Sequence, residues 1–345
     1  MVNYGAYALI GVSAFLVAFI IIPFFIRRMH MRKIVGKDMN KATQPEVAEM
    51  GGVVVLLGFV FSIMLALFLH SYLGYFAELN LLALIAALLT IVIVGVLGIV
   101  DDLIGWKKGI RQYQHALIPI FAALPIMVLP QTIGNTGVDV PLLGFINFGV
   151  FYSLLIVPLA ITGASNATNM LAGLNGLEAG LGIISALTLL IVGVILGDIE
   201  VVILTLGMVG ALIAFLLFNK YPAKIFPGDS LTLMMGAGIA SASIIGNIEK
   251  VGLMLFGLYF VELLLKGRTK MQAESFGRIQ EDGTLKAPEK IGSLTHVIMR
   301  LGKFNEKQVV YIIWGLQILV ALVTFLVFWH NFENVELFSK LRGNL

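Results

Sequence analysis

Cysteine is absent from this 345-residue chain, which excludes thiol catalysis, Cys-ligated metal centres and a disulfide scaffold. Charge is scarce as well. Only 12% of residues are Asp, Glu, Lys or Arg, about half of the roughly 25% usual in soluble domains. With 59% hydrophobic residues and a mean hydropathy of +0.97, that shortage excludes an ordinary soluble enzyme and a disordered chain. The net charge of +3 says little as a total, and nucleic acid is not expected as a partner. Neither an internal repeat of the kind common in transporters nor a low-complexity tract is evident. No Lys or Arg precedes Arg27, so the first apolar segment lacks a signal peptide's basic flank and reads as a retained span.

What the chain does contain is long apolar runs. A bilayer core of about 30 Å needs about 20 such residues per helix. Runs of this kind cover Ala6–Phe25, Gly52–Leu69, Leu81–Val100, Ala116–Leu129, Phe148–Thr162, Ala179–Leu196, Val201–Phe218, Leu231–Gly246, Val251–Leu265 and Val309–Trp329. The expectation is an all-α polytopic membrane protein of about ten spans, forming one catalytic domain over residues 1–345. Twenty of the 23 basic residues fall in alternate loops. That bias assigns those loops to the cytoplasm and both termini to the outside. The longest inner loop, residues 266–307, is expected to recognise a sugar or diphosphate.

Polar residues stand where an apolar protein can least accommodate them. Asp101-Asp102 closes the third span. Adjacent carboxylates repel, and both stay ionised only beside a metal or basic groups. Asn166 and Asn169 are three residues apart, able to share a helix face, and lead into Leu-Ala-Gly173-Leu-Asn175-Gly-Leu-Glu178. Phe226-Pro-Gly-Asp229-Ser230 precedes the eighth span, with Asp229 or Ser230 suited to cap it. The blander reading of each is a helix end or turn. Against it, Asp101, Asp102, Asn169 and Asp229 all fall at cytoplasmic span ends, as an oxygen-rich Mg²⁺ site would require. The basic charge of the first inner loop reads mostly as positive-inside signal and lipid contact. Glu262 and Lys266 read as a helical ion pair.

Taken in order, Pro45-Glu46, Asp101-Asp102, the Asn166 to Glu178 stretch and Phe-Pro-Gly-Asp-Ser resemble the polyprenyl-phosphate N-acetylhexosamine-1-phosphate transferases, glycosyltransferase family 4. Ala172 and Asn175 resemble the eukaryotic and archaeal branch, since the peptidoglycan branch has aspartates there. The resemblance implies transfer of GlcNAc-1-phosphate from UDP-GlcNAc to a polyprenyl (dolichyl) phosphate, releasing UMP, as the first membrane step of a glycan or N-glycosylation pathway. It further implies that Asp229 and Asn169 hold Mg²⁺ (Mn²⁺ as a substitute), while Asp101 and Asp102 position or deprotonate the lipid phosphate. Gly173 and Asn175 would contact uracil, with Phe226 stacking on it, and Asn166 is expected among the substrate-binding residues. Glu46 would sit near a basic residue of the loop after Asp102, for which Lys107, Lys108, Arg111 and His115 all qualify. The relatives' Arg/His cluster in the ninth loop is missing, and Arg268 and Lys270 are the expected substitutes. The site would face the cytoplasm, in a cell membrane, with homodimerisation left open. An ion-coupled secondary transporter using the same aspartates is the competing reading.

Overall fold

The computed structural model describes residues 4–104 and 119–342, with residues 119 and 333–342 described by backbone alone. Helix α1 (Tyr4–Arg32) leads through strands β1 (Val35–Lys37) and β2 (Glu46–Ala48) into α2 (Gly52–Leu73) and α3 (Leu81–Ile104). Three short helices follow, α4 (Pro119–Ala122), α5 (Leu124–Met127) and α6 (Pro130–Gly134), then the hairpin β3 (Gly137–Val140) and β4 (Gly144–Asn147). A π-helical turn, Tyr152–Ile156, opens α7 (Val157–Met170), succeeded by α8 (Leu177–Leu196), α9 (Ile199–Asn219) and α10 (Gly228–Ile245). The chain ends with α11 (Glu249–Leu255), α12 (Gly257–Arg268), hairpin β5 (Arg278–Ile279) and β6 (Leu285–Lys286), α13 (Leu294–Leu301) and α14 (Glu306–Arg342).

Seven of these helices (α1, α2, α3, α8, α9, α10 and α14) are long and apolar enough to cross a bilayer. The protein is therefore an all-α multi-pass membrane protein. The three other stretches expected to span are interrupted. The fourth begins outside the described residues and continues as α4 and α5. The fifth opens with the π-helical turn and runs to Met170, so Asn166 and Asn169 lie inside α7, not after a span. The ninth breaks at Phe256, between α11 and α12. Backbone groups freed within a membrane need new partners, and at this break Gln317 Nε2 donates to the Leu255 carbonyl at 2.9 Å.

Helix α10 is the hub, buried from Ser230 to Ile244. Its small residues allow α3 and α7 to pack closely on either side. At its start, Gly51 N–H and Gly52 N–H donate to the Phe226 and Pro227 carbonyls at 2.9 Å, so α2 begins on the turn that launches α10. Ala48 bridges Ile225 in parallel, joining the β1–β2 hairpin to the same turn. The result gathers the C-terminal ends of α3, α7 and α9 with the N-terminal ends of α2, α8, α10 and α14 at one end of the bundle.

Candidate functional site

Helix ends leave backbone groups unpaired, and α10 has no side-chain cap from its own Pro227. The cap comes from another helix. Gly98 and Asp102 lie one turn apart on α3, and a Cβ on Gly98 would meet the Ser230 Cα at 2.6 Å, so backbone touches backbone there. Asp102 thereby reaches the first turn of α10. Its Oδ1 accepts from Asp229 N–H at 2.7 Å and its Oδ2 from Ser230 N–H at 3.1 Å. A carboxylate is well suited to that positive helix end. Asp229 and Ser230, expected as possible caps, are instead the residues being capped.

Asp101, Asp102, Asn169 and Asp229 line one cavity of about 750 Å³, together with Gly173, Asn175, Glu178 and Phe226. Asn169 Oδ1 accepts from Thr232 Oγ1 at 3.1 Å, which aims the α7 amide at the first turn of α10. Glu49, just before α2, also lines the cavity. Burial and the nearby Asp229 charge push its carboxyl above the ordinary range. Among the described residues, seven lining side chains are Asp or Glu and only Lys37 is basic. An anionic ligand enters such a site with a cation, because like charges repel strongly in a partly desolvated cleft. The donors are carboxylate and amide oxygens, which suit Mg²⁺ and not a soft metal. No cluster of three His, Cys, Asp or Glu able to hold a metal by itself occurs among the described residues. Mg²⁺ does not need one, since it typically uses one or two carboxylates plus substrate phosphates.

Gly173 and Asn175, expected on the nucleotide side, are tied together by a buried network. Gly173 adopts φ +109°, a conformation costly for any residue with a Cβ. Its N–H donates to Glu178 Oε1 at 2.6 Å and its carbonyl accepts from Asn40 Nδ2 at 3.2 Å. Asn175 Oδ1 accepts from Ala223 N–H at 2.8 Å and from Lys41 Nζ at 3.4 Å, and its own N–H donates to Glu306 Oε1 at 2.8 Å. Two donors fix which end of the amide is oxygen. Contact with a ligand therefore falls to Nδ2. Lys41 also pairs with Asp38 at 3.1 Å and with Glu306, and lies 4.1 Å from the Tyr221 ring centroid. Lys41 is thus no surface charge of the positive-inside kind but the centre of a buried cluster.

The ninth loop folds back onto this network. Glu262 Oε2 accepts from Leu294 N–H at 2.7 Å and Ser293 Oγ at 3.2 Å, capping α13, while Lys266 lies 3.7 Å away. The helical pair is present, yet the carboxylate chiefly docks the loop. Buried His296 accepts at Nδ1 from Gly292 N–H, 3.4 Å, and so carries its proton at Nε2, 3.1 Å from the Phe276 carbonyl. Burial, aided by the Lys266 charge, holds it below the usual imidazole pKa, against the Phe276 bond. Phe276 is thereby set against Gly173, where a Cβ would meet its ring at 2.9 Å.

Other expected residues lie elsewhere. Glu46 is exposed on β2, opposite Lys37 in register, and does not line the cavity. Asn166 Nδ2 donates to the Thr162 carbonyl at 2.8 Å, one turn back in α7. Arg268 and Lys270 are exposed and do not line the cavity. Lys107, Lys108, Arg111 and His115 fall outside the described residues. Glu49 and Phe276 were not anticipated. Glu49 lies three residues after the Pro45-Glu46 pair already singled out, whereas Phe276 carries no sequence signal.

Comparison with known proteins gives concordant matches. The model of glycosyl transferase family 4 matches residues 84–247. A Saccharolobus solfataricus protein provisionally named UDP-N-acetylglucosamine–dolichyl-phosphate N-acetylglucosaminephosphotransferase is 37% identical over 315 residues, covering 90% of this chain and 93% of that protein. The same provisional name is carried by a Sulfolobus acidocaldarius protein, 37% identical over 314 residues with the same coverage. A phospho-N-acetylmuramoyl-pentapeptide-transferase of Halalkalibacterium halodurans is 31% identical over 264 residues, covering 73% of this chain and 79% of that protein.

Proposed function

The chain belongs to glycosyl transferase family 4, and from that premise we propose that it transfers GlcNAc-1-phosphate from UDP-GlcNAc to a polyprenyl phosphate such as dolichyl phosphate. The observation that carries the reading is that two cavities of opposite character reach adjacent residues of α7. Asn169 lines the acidic cavity, while its neighbour Met170 lines an apolar one of about 370 Å³ bounded by α7, α10, α11 and α12. A substrate with a phosphate head and a prenyl tail matches that pairing, and a nucleotide sugar matches the polar half alone.

In the transfer, an oxygen of the lipid phosphate attacks the sugar-bearing phosphorus. The new P–O bond forms as the bridge to the inner phosphate breaks, and UMP leaves with that bridging oxygen. The lipid phosphate is largely ionised at neutral pH, its second pKa being near 6, so it needs positioning more than a strong base. Asp229 and Asn169 would hold Mg²⁺, with Mn²⁺ as a substitute. The ion would neutralise the diphosphate and its leaving group. Asp102 fixes the turn that carries Asp229, and Asp101 borders the path of the incoming phosphate. Gly173, Asn175 and Phe226 form the nucleotide wall, with Phe276 opposite Gly173. The basic majority in the inner loops supports a cytoplasmic site, where nucleotide sugar would arrive. A transporter would hold its site near the bilayer midplane, whereas these groups gather at one end of the bundle.

Purified protein given labelled UDP-GlcNAc, dolichyl phosphate and Mg²⁺ is expected to yield labelled lipid and UMP in equal amounts. EDTA should abolish both products, and Mg²⁺ or Mn²⁺ should restore them. Absence of UMP would reject the transferase, and full turnover in EDTA would reject the metal. Gly173→Ala meets both a forbidden φ and the Phe276 ring. Strain of about 1–3 kcal/mol corresponds to a rise in KM for UDP-GlcNAc of about fivefold to a hundredfold. Phe276→Ala in the same chain should recover only the steric part.

A further inference from the structure

Hairpins stand at both ends of the bundle, and the turns of β5–β6 and β3–β4 differ in kind. At the cavity end, β5 and β6 are joined through Gln280-Glu-Asp-Gly-Thr284, where Asp282 Oδ1 accepts from Thr284 N–H at 3.0 Å and Oγ1 at 2.6 Å. Gly283 supplies the positive φ of 78°. This is ordinary turn chemistry for water. The β3–β4 hairpin stands at the far end, some 27 Å along α10 at about 1.5 Å per residue. It is anchored there by Lys250 Nζ to Asp139 Oδ2 and Asn135 Nδ2 to Asn247 Oδ1, both 2.8 Å.

The far turn reads Val140-Pro-Leu-Leu-Gly144. Leu142 is fully exposed at φ +69°, and Leu143 and Phe145 are 72% and 64% exposed. A bulky apolar side chain in the left-handed region at a solvated tip contradicts both turn preference and surface composition. Pro141 has no N–H to leave unpaired, and Leu143 N–H is satisfied by the Val140 carbonyl at 3.1 Å. These are properties that a bilayer rewards. No charged residue occurs between Asp139 and Glu178. The exposed apolar surface also continues from the hairpin along Val150, Phe151, Leu154 and Leu155, which is the lipid-facing side of the segment entering α7.

We propose that the β3–β4 hairpin inserts its Leu142-Leu143 tip among the acyl chains of the leaflet opposite the acidic cavity. Phe145 lies at the same boundary. Asp139 remains on the aqueous side, paired with Lys250. Lipid, not a second copy of the chain, is the occupant because the exposed face is continuous with that of the spanning segment.

The absence of native cysteine makes the test direct. Leu142→Cys, and separately Leu143→Cys, gives the full-length protein a single thiol for a nitroxide, read in phosphatidylcholine–phosphatidylglycerol vesicles. Both labels are expected to collide with oxygen several-fold more than with a water-soluble nickel chelate. Asp282→Cys, in the polar turn, should give the reverse. Nickel accessibility at 142 and 143 equal to that at 282 would overturn the proposal. So would labels shielded from both reagents and broadened by a second nitroxide, the result expected if another copy covers the tip.

Discussion

Asp229→Ala is expected to reduce turnover about a thousandfold or more without lowering thermal stability. Electrostatic stabilisation by a bound metal is worth several kcal/mol, and each 1.36 kcal/mol is about tenfold in rate. The variant removes one of the two proposed protein ligands. Stability should hold because the Asp229 backbone N–H, not its side chain, is what Asp102 grips. Deleting the carboxylate also relieves the repulsion that adds to burial in pushing Glu49 upward. The measurement pairs initial rates with a melting curve in the same detergent. A variant that keeps a tenth of wild-type turnover, or that loses activity only as it loses fold, would contradict the assignment.

Asp102→Asn should act differently, although the two residues nearly touch. Asparagine offers one acceptor where two backbone N–H groups need one each, and turns an amide donor toward the other. Losing a charge-assisted bond of about 1.5–3 kcal/mol and leaving a buried donor unmet, at about 1–3 kcal/mol, loosens the first turn of α10. The expected result is a fall in kcat of about a hundredfold. A higher Mg²⁺ requirement and a lower melting temperature should accompany it. Asp101→Asn, one residue earlier, should reduce turnover without the drop in melting temperature. If the two asparagine variants melted alike, Asp102 would not be the strut that its hydrogen bonds make it.

The sequence exposed the long helices because an apolar run of spanning length needs no tertiary context. It also exposed the acidic and amide residues, since polar groups at span ends break the pattern around them. Interrupted spans were less visible. At the break at Phe256 the Leu255 carbonyl is received by Gln317, some sixty residues away, and no local signal encodes that contact. Glu46 drew attention as part of Pro45-Glu46, yet β1–β2 pairing leaves it exposed while Glu49 reaches the cavity. Lys41 looked like one more inner-face charge until Asp38, Asn175 and Glu306 closed around it.

That cluster has a consequence for biogenesis. Lys41 enters with the first loop, whereas Glu306 opens the last helix, 265 residues later. A nascent chain that has inserted every earlier segment holds Lys41 paired with Asp38 while its second carboxylate is unsynthesised. The wall around Gly173 and Asn175 therefore closes only after Glu306, the opening residue of α14, has been made.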